Sequence, residues 1–123
     1  LQKKTEPELK RLLEKNAKIS RRGNIFEFKE RVESKGVWDY KLPIIREKES
    51  LLKHIKNEEY VYFNGYVMTW EEFGNYHYGY VGAARGMGIS LLIVGSLHAA
   101  KYDLDYNEQR DQEWVSMGHD DYK

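Results

Sequence analysis

The 123-residue chain contains no cysteine, and it lacks the motifs that mark several well-known classes of enzyme. Without cysteine the chain can form neither a disulfide framework nor a cysteine–zinc site, so its fold must rest on packing alone. No P-loop, dinucleotide-binding glycine fingerprint, H-E-x-x-H or G-x-S-x-G motif occurs. An ATP-driven enzyme, a redox enzyme and a classical serine hydrolase therefore have no support in the sequence.

The chain also lacks a long apolar run and a visible signal peptide. Its longest apolar segment, residues 89–100, is interrupted by serine, glycine and histidine. It is shorter than the ~20 residues of a membrane-spanning helix, so no membrane span is expected. No signal peptide precedes the first helix, and the sequence begins at Leu1 rather than at a methionine. We expect a piece of a longer protein, either a C-terminal module delivered by a larger carrier or a trimmed fragment.

The chain has no net charge, but its two halves are oppositely charged. Residues 1–59 contain 16 Lys and Arg against 11 Asp and Glu, whereas residues 60–123 contain 4 against 9. Such a division indicates a basic face that could meet a polyanion and an acidic face elsewhere. The alternative is that the two halves fold face to face and attract each other.

The spacing of apolar residues predicts one α+β domain that is mainly α-helical, with residues 1–23 as a candidate N-terminal helical extension. Capping residues and apolar stripes place the predicted helices at residues 5–20, 24–36, 47–56, 90–101 and 108–117. The fourth of these is apolar nearly all round and is expected to be the most buried. Gly118 is expected to end the last helix in a left-handed conformation.

One β-hairpin is predicted at residues 60–69. Two runs of β-prone residues flank Asn64 and Gly65, the preferred pair for a tight type I′ turn. Thr69 then doubles as a helix cap, with Glu72 in the capping-box position.

The stretch of residues 70–88 is the most distinctive part of the chain. It holds five of the ten glycines and three of the ten tyrosines. Because glycine costs ~0.5–1 kcal/mol relative to alanine inside a helix or strand, these glycines indicate a left-handed backbone or a close neighbour. We expect alternating short helices and loops here. His77, flanked by Asn75, Tyr76 and Tyr78, is the first candidate for a functional site.

Histidine titrates near neutral pH and can act as a general acid or base, which makes His77 a catalytic candidate. A lone histidine among tyrosines is more often structural, so both interpretations stay open. The other three histidines have simpler explanations. His54 is expected in solvent, His98 in hydrogen-bonded core packing, and His119 at a helix C-terminus, where its charged form is favoured.

Three blocks of the chain resemble a known family. They are W-D-Y-K at residues 38–41, F-G-N-Y-H-Y-G-Y-V-G-A-A at 73–84, and R-D-Q at 110–112, followed by Gly118 and Tyr122. Together they resemble the bacterial polymorphic toxin type 44 family over roughly residues 24–123. The resemblance implies the C-terminal toxin module of a secreted or contact-dependent inhibition protein. Its activity would be neutralised by a dedicated immunity protein. Members often have Pro ahead of the Arg-Asp pair, where this chain has Gln109.

The family is regarded as one of predicted ribonucleases, which implies an enzyme that cuts RNA, with transfer RNA as one candidate, in the cytoplasm of a target cell. A ribonuclease that needs no metal or cofactor requires a base for the 2′-hydroxyl proton, an acid for the leaving oxygen and a cation at the phosphate. We expect His77 as base or acid, with Asp111 or Tyr78 as its partner. The expected phosphate ligands are Lys41, Arg85 and Arg110. The expected substrate-binding and base-stacking residues are Trp38, Asn75 and Tyr76.

Two alternatives remain open. Asp103, Asp105 and Asp111 could hold Mg²⁺ or Ca²⁺ in a metal-dependent nuclease or phosphodiesterase, although they match no known loop pattern. The domain could instead be a non-catalytic module whose glycine- and tyrosine-rich stretch docks a protein partner. Asp39 beside Lys41 could be a structural ion pair or part of a site.

Overall fold

The computed structural model describes the backbone of residues 5–99 and 108–122, and the side chains of 5–95 and 110–122. The predicted class, α+β with mainly α-helix, is confirmed. The helices of the described chain are α1 Glu6–Arg22, α2 Ile25–Val32, α3 Pro43–Lys48, α4 Trp70–Ala84, α5 Ile89–Ala99 and α6 Glu108–Asp121, with a 3₁₀ turn at Ser50–Leu52. The strands are β1 Tyr60–Phe63 and β2 Tyr66–Thr69.

Helix α1 presents one apolar face to the rest of the protein. Leu9, Leu12 and Leu13 are fully buried, and the small or polar residues of the same face follow them along the helix. Thr5 precedes the helix as predicted, but its hydroxyl does not cap it. That hydroxyl donates to the Tyr62 carbonyl at 2.8 Å and accepts from the Tyr62 amide at 2.7 Å. These two hydrogen bonds therefore attach the start of α1 to β1.

The hairpin forms where the sequence predicts it. Asn64 and Gly65 have φ angles of 51° and 86°, the left-handed pair that a type I′ turn requires. Strands β1 and β2 pair antiparallel over residues 60–69. Thr69 and Glu72 then form the predicted capping box, since the Glu72 amide donates to the Thr69 hydroxyl at 3.1 Å and the Glu72 carboxylate accepts from the Thr69 amide at 2.8 Å.

Residues 70–84 of the glycine-rich stretch form one helix, α4, so the expectation of alternating helices and loops was wrong there, while Gly86, in the turn that follows, has a left-handed φ of 85°. Two glycines, Gly79 on α4 and Gly118 on α6, show why the sequence accepts the lower helix propensity of glycine. A Cβ at Gly79 would overlap the Val115 carbonyl on α6, and a Cβ at Gly118 would overlap the Tyr76 carbonyl on α4. The glycines thus let the two helices cross with their backbones in contact. For the same reason α6 runs through Gly118 to Asp121, and the predicted left-handed cap at Gly118 was wrong.

Helix α4 lies at the centre of the fold, in contact with α1, α5, α6 and the hairpin. Helix α5 was expected to be the most buried, but among its described side chains, residues 89–95, Leu91 is 58% exposed and Val94 is 61% exposed. Leu92 of α5 is fully buried, and it packs against Gly82 of α4. None of the helices in the described part of the chain has the length and apolar character that crossing a bilayer requires.

Candidate functional site

His77 lies in the core, on the face of α4 that packs against α1 and residues 38–40. Its side chain is 1% exposed. The rings of Trp38 and Tyr40 meet the imidazole edge-on, with centroid distances of 5.3 Å and 5.1 Å, and Phe73 lies 6.0 Å away. The first two family-like blocks therefore do converge. The place where they converge is sealed from solvent.

The only polar side chain that bonds the imidazole among the described residues is Asn16 of α1. Its Nδ2 lies 2.9 Å from His77 Nε2 and 2.9 Å from the Tyr40 hydroxyl, which accepts its other hydrogen. Since an amide nitrogen only donates, this orientation of Asn16 makes His77 Nε2 an acceptor and puts the imidazole proton on Nδ1. A proton added at Nε2 would face a donor.

Burial lowers the pKa of His77 to about 3, because the apolar surroundings disfavour the charged imidazolium. Burial likewise raises the pKa of Tyr40 above its ordinary value. At neutral pH the histidine is neutral and the phenol is protonated. These neutral, hydrogen-bonded groups are buried in the core, and the His77 imidazole is not exposed to solvent in this structure. The catalytic role of His77 stays a prediction.

The three predicted phosphate ligands are dispersed over the protein. Lys41 is exposed and lies 3.7 Å from Asp39, so the ion pair considered from the sequence is present. Arg110, with 72% of its side chain exposed, lies 3.7 Å from Glu72 at the start of α4. Arg85 donates to the carbonyls of Ser20 and Gly23, where it satisfies the C-terminal end of α1. Each cation thus has a partner other than His77.

The remaining predicted residues also have structural contacts. The Tyr78 hydroxyl donates to the Leu92 carbonyl at 2.8 Å, and burial raises the pKa of Tyr78 to about 12. The Asn75 amide donates to the Glu71 carbonyl one turn earlier, at 3.3 Å. Asp111 lies in the first part of α6 and is partly buried. Trp38 is buried beneath the Arg31 guanidinium, 5.6 Å from its ring centroid, so it offers no free face for a base.

Tyr76, the last predicted residue, is fully buried, and it forms part of the wall of a cleft that sequence reasoning did not find. The cleft lies between α1, the hairpin turn, α4 and the end of α6, with a volume of about 360 Å³. Its lining residues are Lys10, Leu13, Glu14, Phe63, Asn64, Tyr76, Tyr80 and Asp121.

Asp121, one of the residues that line the cleft, accepts two side-chain hydrogen bonds. Its Oδ2 accepts a 2.6 Å hydrogen bond from the Tyr76 hydroxyl and a 3.0 Å hydrogen bond from Asn64 Nδ2. Burial, together with this bond to Asp121, raises the pKa of Tyr76, so the phenol stays protonated at neutral pH and keeps donating. The backbone N–H of Asn64 donates to the Glu6 carboxylate at 2.8 Å, which holds the hairpin turn against α1.

Aromatic rings form the wall of the cleft. Tyr80 stacks on Tyr76 with a centroid distance of 6.5 Å, and Tyr122 meets Tyr80 edge-on at 5.2 Å. Arg21 of α1 donates to the Tyr122 hydroxyl at 2.5 Å, and its guanidinium lies 6.0 Å from that ring. The cleft thus contains two carboxylates, Glu14 and Asp121, the cation Lys10 and the partly exposed ring of Tyr80, with Arg21 and Tyr122 beside it.

The sequence signal for this cleft is weak. Asp121 and Arg21 are 100 positions apart, and neither stands in a compact motif. The resemblance did include Tyr122, which is the one indication that the C-terminal residues matter. Tyr76 and Tyr80 are four apart on α4, a spacing that places them on one face of a helix once the stretch is known to be helical.

No cluster of three or more potential metal ligands occurs among the residues that the structure describes. Asp103 and Asp105 of the metal hypothesis lie outside those residues, so the metal-dependent alternative stays a prediction.

Comparison with known proteins gives one match. Residues 27–123, most of the chain, match the family model described as "Bacterial toxin 44". No curated protein and no solved structure matches the chain. The matched residues include the hairpin, α4 and α6, and therefore most of the cleft wall. Helix α1 lies ahead of them.

Proposed function

The chain belongs to the Bacterial toxin 44 family and is a bacterial toxin effector domain, and we propose that it is a ribonuclease whose active cleft is the one that contains Tyr76 and Asp121. The observation that carries this proposal is the position of Asp121. It is held by two donors, beside partly exposed aromatic rings and next to the cations of α1. Stacking rings and cations are common in sites for unpaired RNA, and a carboxylate can serve as the base, although a second carboxylate, Glu14, also lines the cleft.

Each component of the cleft matches a part of single-stranded RNA. Tyr80 and Tyr122 are partly exposed and could stack on bases, as aromatic side chains do in sites for unpaired RNA. Lys10 and Arg21 are exposed cations on α1, and Arg21 contacts the Tyr122 ring, where a phosphate that follows a stacked base would lie. Lys10 lines the cleft directly, and Arg21 reaches it through Tyr122.

In the proposed reaction the Asp121 carboxylate takes the proton of a ribose 2′-hydroxyl. The 2′ oxygen forms a bond to the adjacent phosphorus while the bond from phosphorus to the 5′ oxygen breaks, and the departing oxygen takes a proton from water. The products are a 2′,3′-cyclic phosphate and a 5′-hydroxyl end. Lys10, which lines the cleft, stabilises the negative charge that develops on the phosphoryl oxygens, while Arg21, roughly 16 Å farther along α1, contacts a neighbouring phosphate. Tyr76 and Asn64 orient the carboxylate and do not themselves react.

We further propose the setting that the family implies. The domain is delivered by a larger carrier chain, acts on RNA in the cytoplasm of the target cell and is neutralised by a cognate immunity protein. A partner that blocks substrate access would cover the mouth of the cleft, at Lys10, Tyr80 and Tyr122.

The test is cleavage of total RNA in EDTA by protein made in a cell-free system. Asp121→Asn keeps the shape of the side chain and removes the base, so the cleavage rate should fall by ~10²–10⁴-fold. Asp120→Asn, an exposed neighbour with the same change of charge, is the matched control and should keep its activity. RNA left intact by folded wild-type protein would refute the ribonuclease.

A third variant separates the two candidate sites. His77→Gln can still accept a hydrogen bond from Asn16 through its side-chain carbonyl oxygen. If folded His77→Gln is inactive while Asp121→Asn cuts RNA, the proposal that this cleft is the active site is wrong. The roles predicted for His77, Asp111 and Tyr78 would then be supported instead. Cleavage that EDTA abolishes would support the metal-dependent alternative.

A further inference from the structure

Helix α1 carries a row of exposed cations on the side that faces solvent. Arg11, Lys15, Lys18 and Arg22 follow one another at intervals of four, three and four residues, and all four are exposed. With 3.6 residues per turn this spacing puts them on one face of the helix, over a length of roughly 16 Å. We call this row the α1 stripe.

Half of the α1 stripe is already paired within the protein. Lys15 lies 2.8 Å from Glu49, and Arg11 lies 3.8 Å from Glu8. Within residues 5–95 and 110–122, no carboxylate lies within 4.0 Å of Lys18 or Arg22. The C-terminal half therefore makes no ion pair with a described carboxylate, and the nearest acidic residue on α1 is the exposed Glu14, one turn before Lys18.

The helix dipole explains only part of this pattern. Cations in the last turn of a helix are stabilised by typically ~0.3–1 kcal/mol, and this accounts for Arg21 and Arg22. Lys18 is four residues before the end, where that effect has fallen off. Lys18 shares the solvent-facing side of an amphipathic helix with Arg11, Lys15 and Arg22, and it is the cleft beside this side that points to a further role.

The α1 stripe runs beside the cleft. Lys10 and Glu14 of the same helix line the cleft, and Arg21, adjacent in sequence to Arg22, contacts Tyr122. A strand with a base against Tyr122 would have a neighbouring phosphate near Arg21, which contacts that ring. Proteins that hold single-stranded nucleic acid combine these two features, a row of cations along the backbone and aromatic rings for the bases.

We propose that the α1 stripe, and its Lys18–Arg22 half above all, is a docking surface for the phosphate backbone of single-stranded RNA that leaves the cleft. It would add affinity and register without taking part in the chemistry. The proposal rests on the proposed function for the identity of the polyanion. It also assigns a role in substrate binding to a helix that precedes the family-matched residues 27–123.

The experiment measures binding and cleavage separately. The binding probe is a 2′-O-methyl RNA of about 12 nucleotides, within the range of known single-strand sites, which lacks the 2′-hydroxyl and so cannot be cut. The variant is Lys18→Gln with Arg22→Gln. The matched control is Lys48→Gln with Lys53→Gln, two exposed lysines outside α1, which removes the same charge from the chain.

Loss of two phosphate contacts should weaken binding of the probe roughly tenfold at about 0.1 M salt. The slope of log affinity against log salt should become shallower by about 1.4, since each contact to a single strand contributes ~0.7. Both quantities should stay at wild-type values in the Lys48/Lys53 control. On a cleavable long RNA the variant should raise KM and leave kcat unchanged. On a dinucleotide, too short to reach the α1 stripe, it should change neither.

An unchanged salt slope in the Lys18/Arg22 variant would overturn the proposal, as would an equal loss in the control, which would indicate only a general charge effect. Wild-type protein that fails to bind the probe would overturn it as well. A protein that binds the probe through the α1 stripe but never cuts RNA would support the docking surface and refute the ribonuclease. The two proposals can therefore fail separately.

Discussion

Asn16 on α1 holds His77 on α4 through a 2.9 Å contact between Asn16 Nδ2 and His77 Nε2. The histidine lies inside the family-matched residues, and the asparagine lies 11 residues before they begin. The most distinctive motif of the chain is thus completed by a residue outside it. The same holds for Ser20, whose hydroxyl donates to the Val81 carbonyl at 2.7 Å.

This relationship predicts that Asn16 is needed for stability rather than for chemistry. Replacing Asn16 by Leu leaves His77 Nε2 and the Tyr40 hydroxyl buried without their donor, which should lower the free energy of unfolding by ~1–3 kcal/mol. Urea denaturation measures the change. Lys18→Ala, on the exposed face of α1, is the control and should stay within ~0.5 kcal/mol of wild type. An Asn16→Leu protein as stable as wild type would show that the hydrogen bond is unimportant.

The histidine also predicts a dependence of stability on pH. The pKa of His77 is about 3 in the folded protein and near the ordinary 6.5 in the unfolded chain. The unfolded chain therefore binds the proton first. The stabilisation is fully present above pH ~6.5 and is lost as the pH falls toward 3, by up to ~1.4 kcal/mol per pH unit for this group.

Denaturant midpoints measured across that range would test the prediction. His77→Gln should remove much of the slope between pH 6.5 and 4, whereas His54→Gln, at an exposed site, should retain it. Equal slopes in wild type and His77→Gln would show that another group causes the acid sensitivity.

Two glycines of the same helix should respond in opposite ways to alanine. Gly79 lies against the backbone of α6, which cannot move aside as a flexible side chain can, so Gly79→Ala should destabilise the protein by ~2 kcal/mol or more. A Cβ at Gly74 would meet no atom of the described residues within 4 Å, so Gly74→Ala should stabilise the helix by ~0.5–1 kcal/mol. Thermal unfolding of both variants gives the answer. Stabilisation by Gly79→Ala would contradict the close helix crossing.

Removal of residues 1–22 should prevent folding, although those residues precede the family-matched part. Helix α1 contributes Leu9, Leu12 and Leu13 to the core, and each is fully buried. Burial of one such side chain is worth ~1.5–3 kcal/mol, so their joint loss is comparable to the whole stability of a small domain. Circular dichroism and limited proteolysis of the shortened chain measure the outcome. A shortened protein that melts cooperatively would show that α1 is a dispensable extension.

The local features of the fold were predictable because they depend on neighbours in sequence. The Asn64–Gly65 turn and the Thr69–Glu72 capping box are made by residues one and three positions apart, and both formed as predicted. The helices at α1, α2 and α6 followed from apolar spacing. The three blocks that resemble the toxin family could likewise be recognised from the order of residues alone.

The glycines of α4 show where such reasoning fails. Glycine has the same local preferences at positions 74, 79 and 82, so the sequence pointed to broken structure. Only the approach of α6 shows that Gly79 is needed for close packing, and only the position of α1 shows that His77 is enclosed. The functional assignment of His77 depended on that missing information, since the same imidazole can serve as a base in solvent or as a hydrogen-bond acceptor in a core.

The sequence by itself determined the secondary structure near its turns and caps, the toxin family and the division of charge, because these are properties of adjacent residues or of composition. The tertiary structure decided which polar groups are reachable. It enclosed His77 beneath Asn16, Trp38 and Tyr40, and it brought Tyr76 next to Asp121, 45 positions away. Accessibility and long-range pairing arise from how helices pack, and no local pattern of residues encodes them.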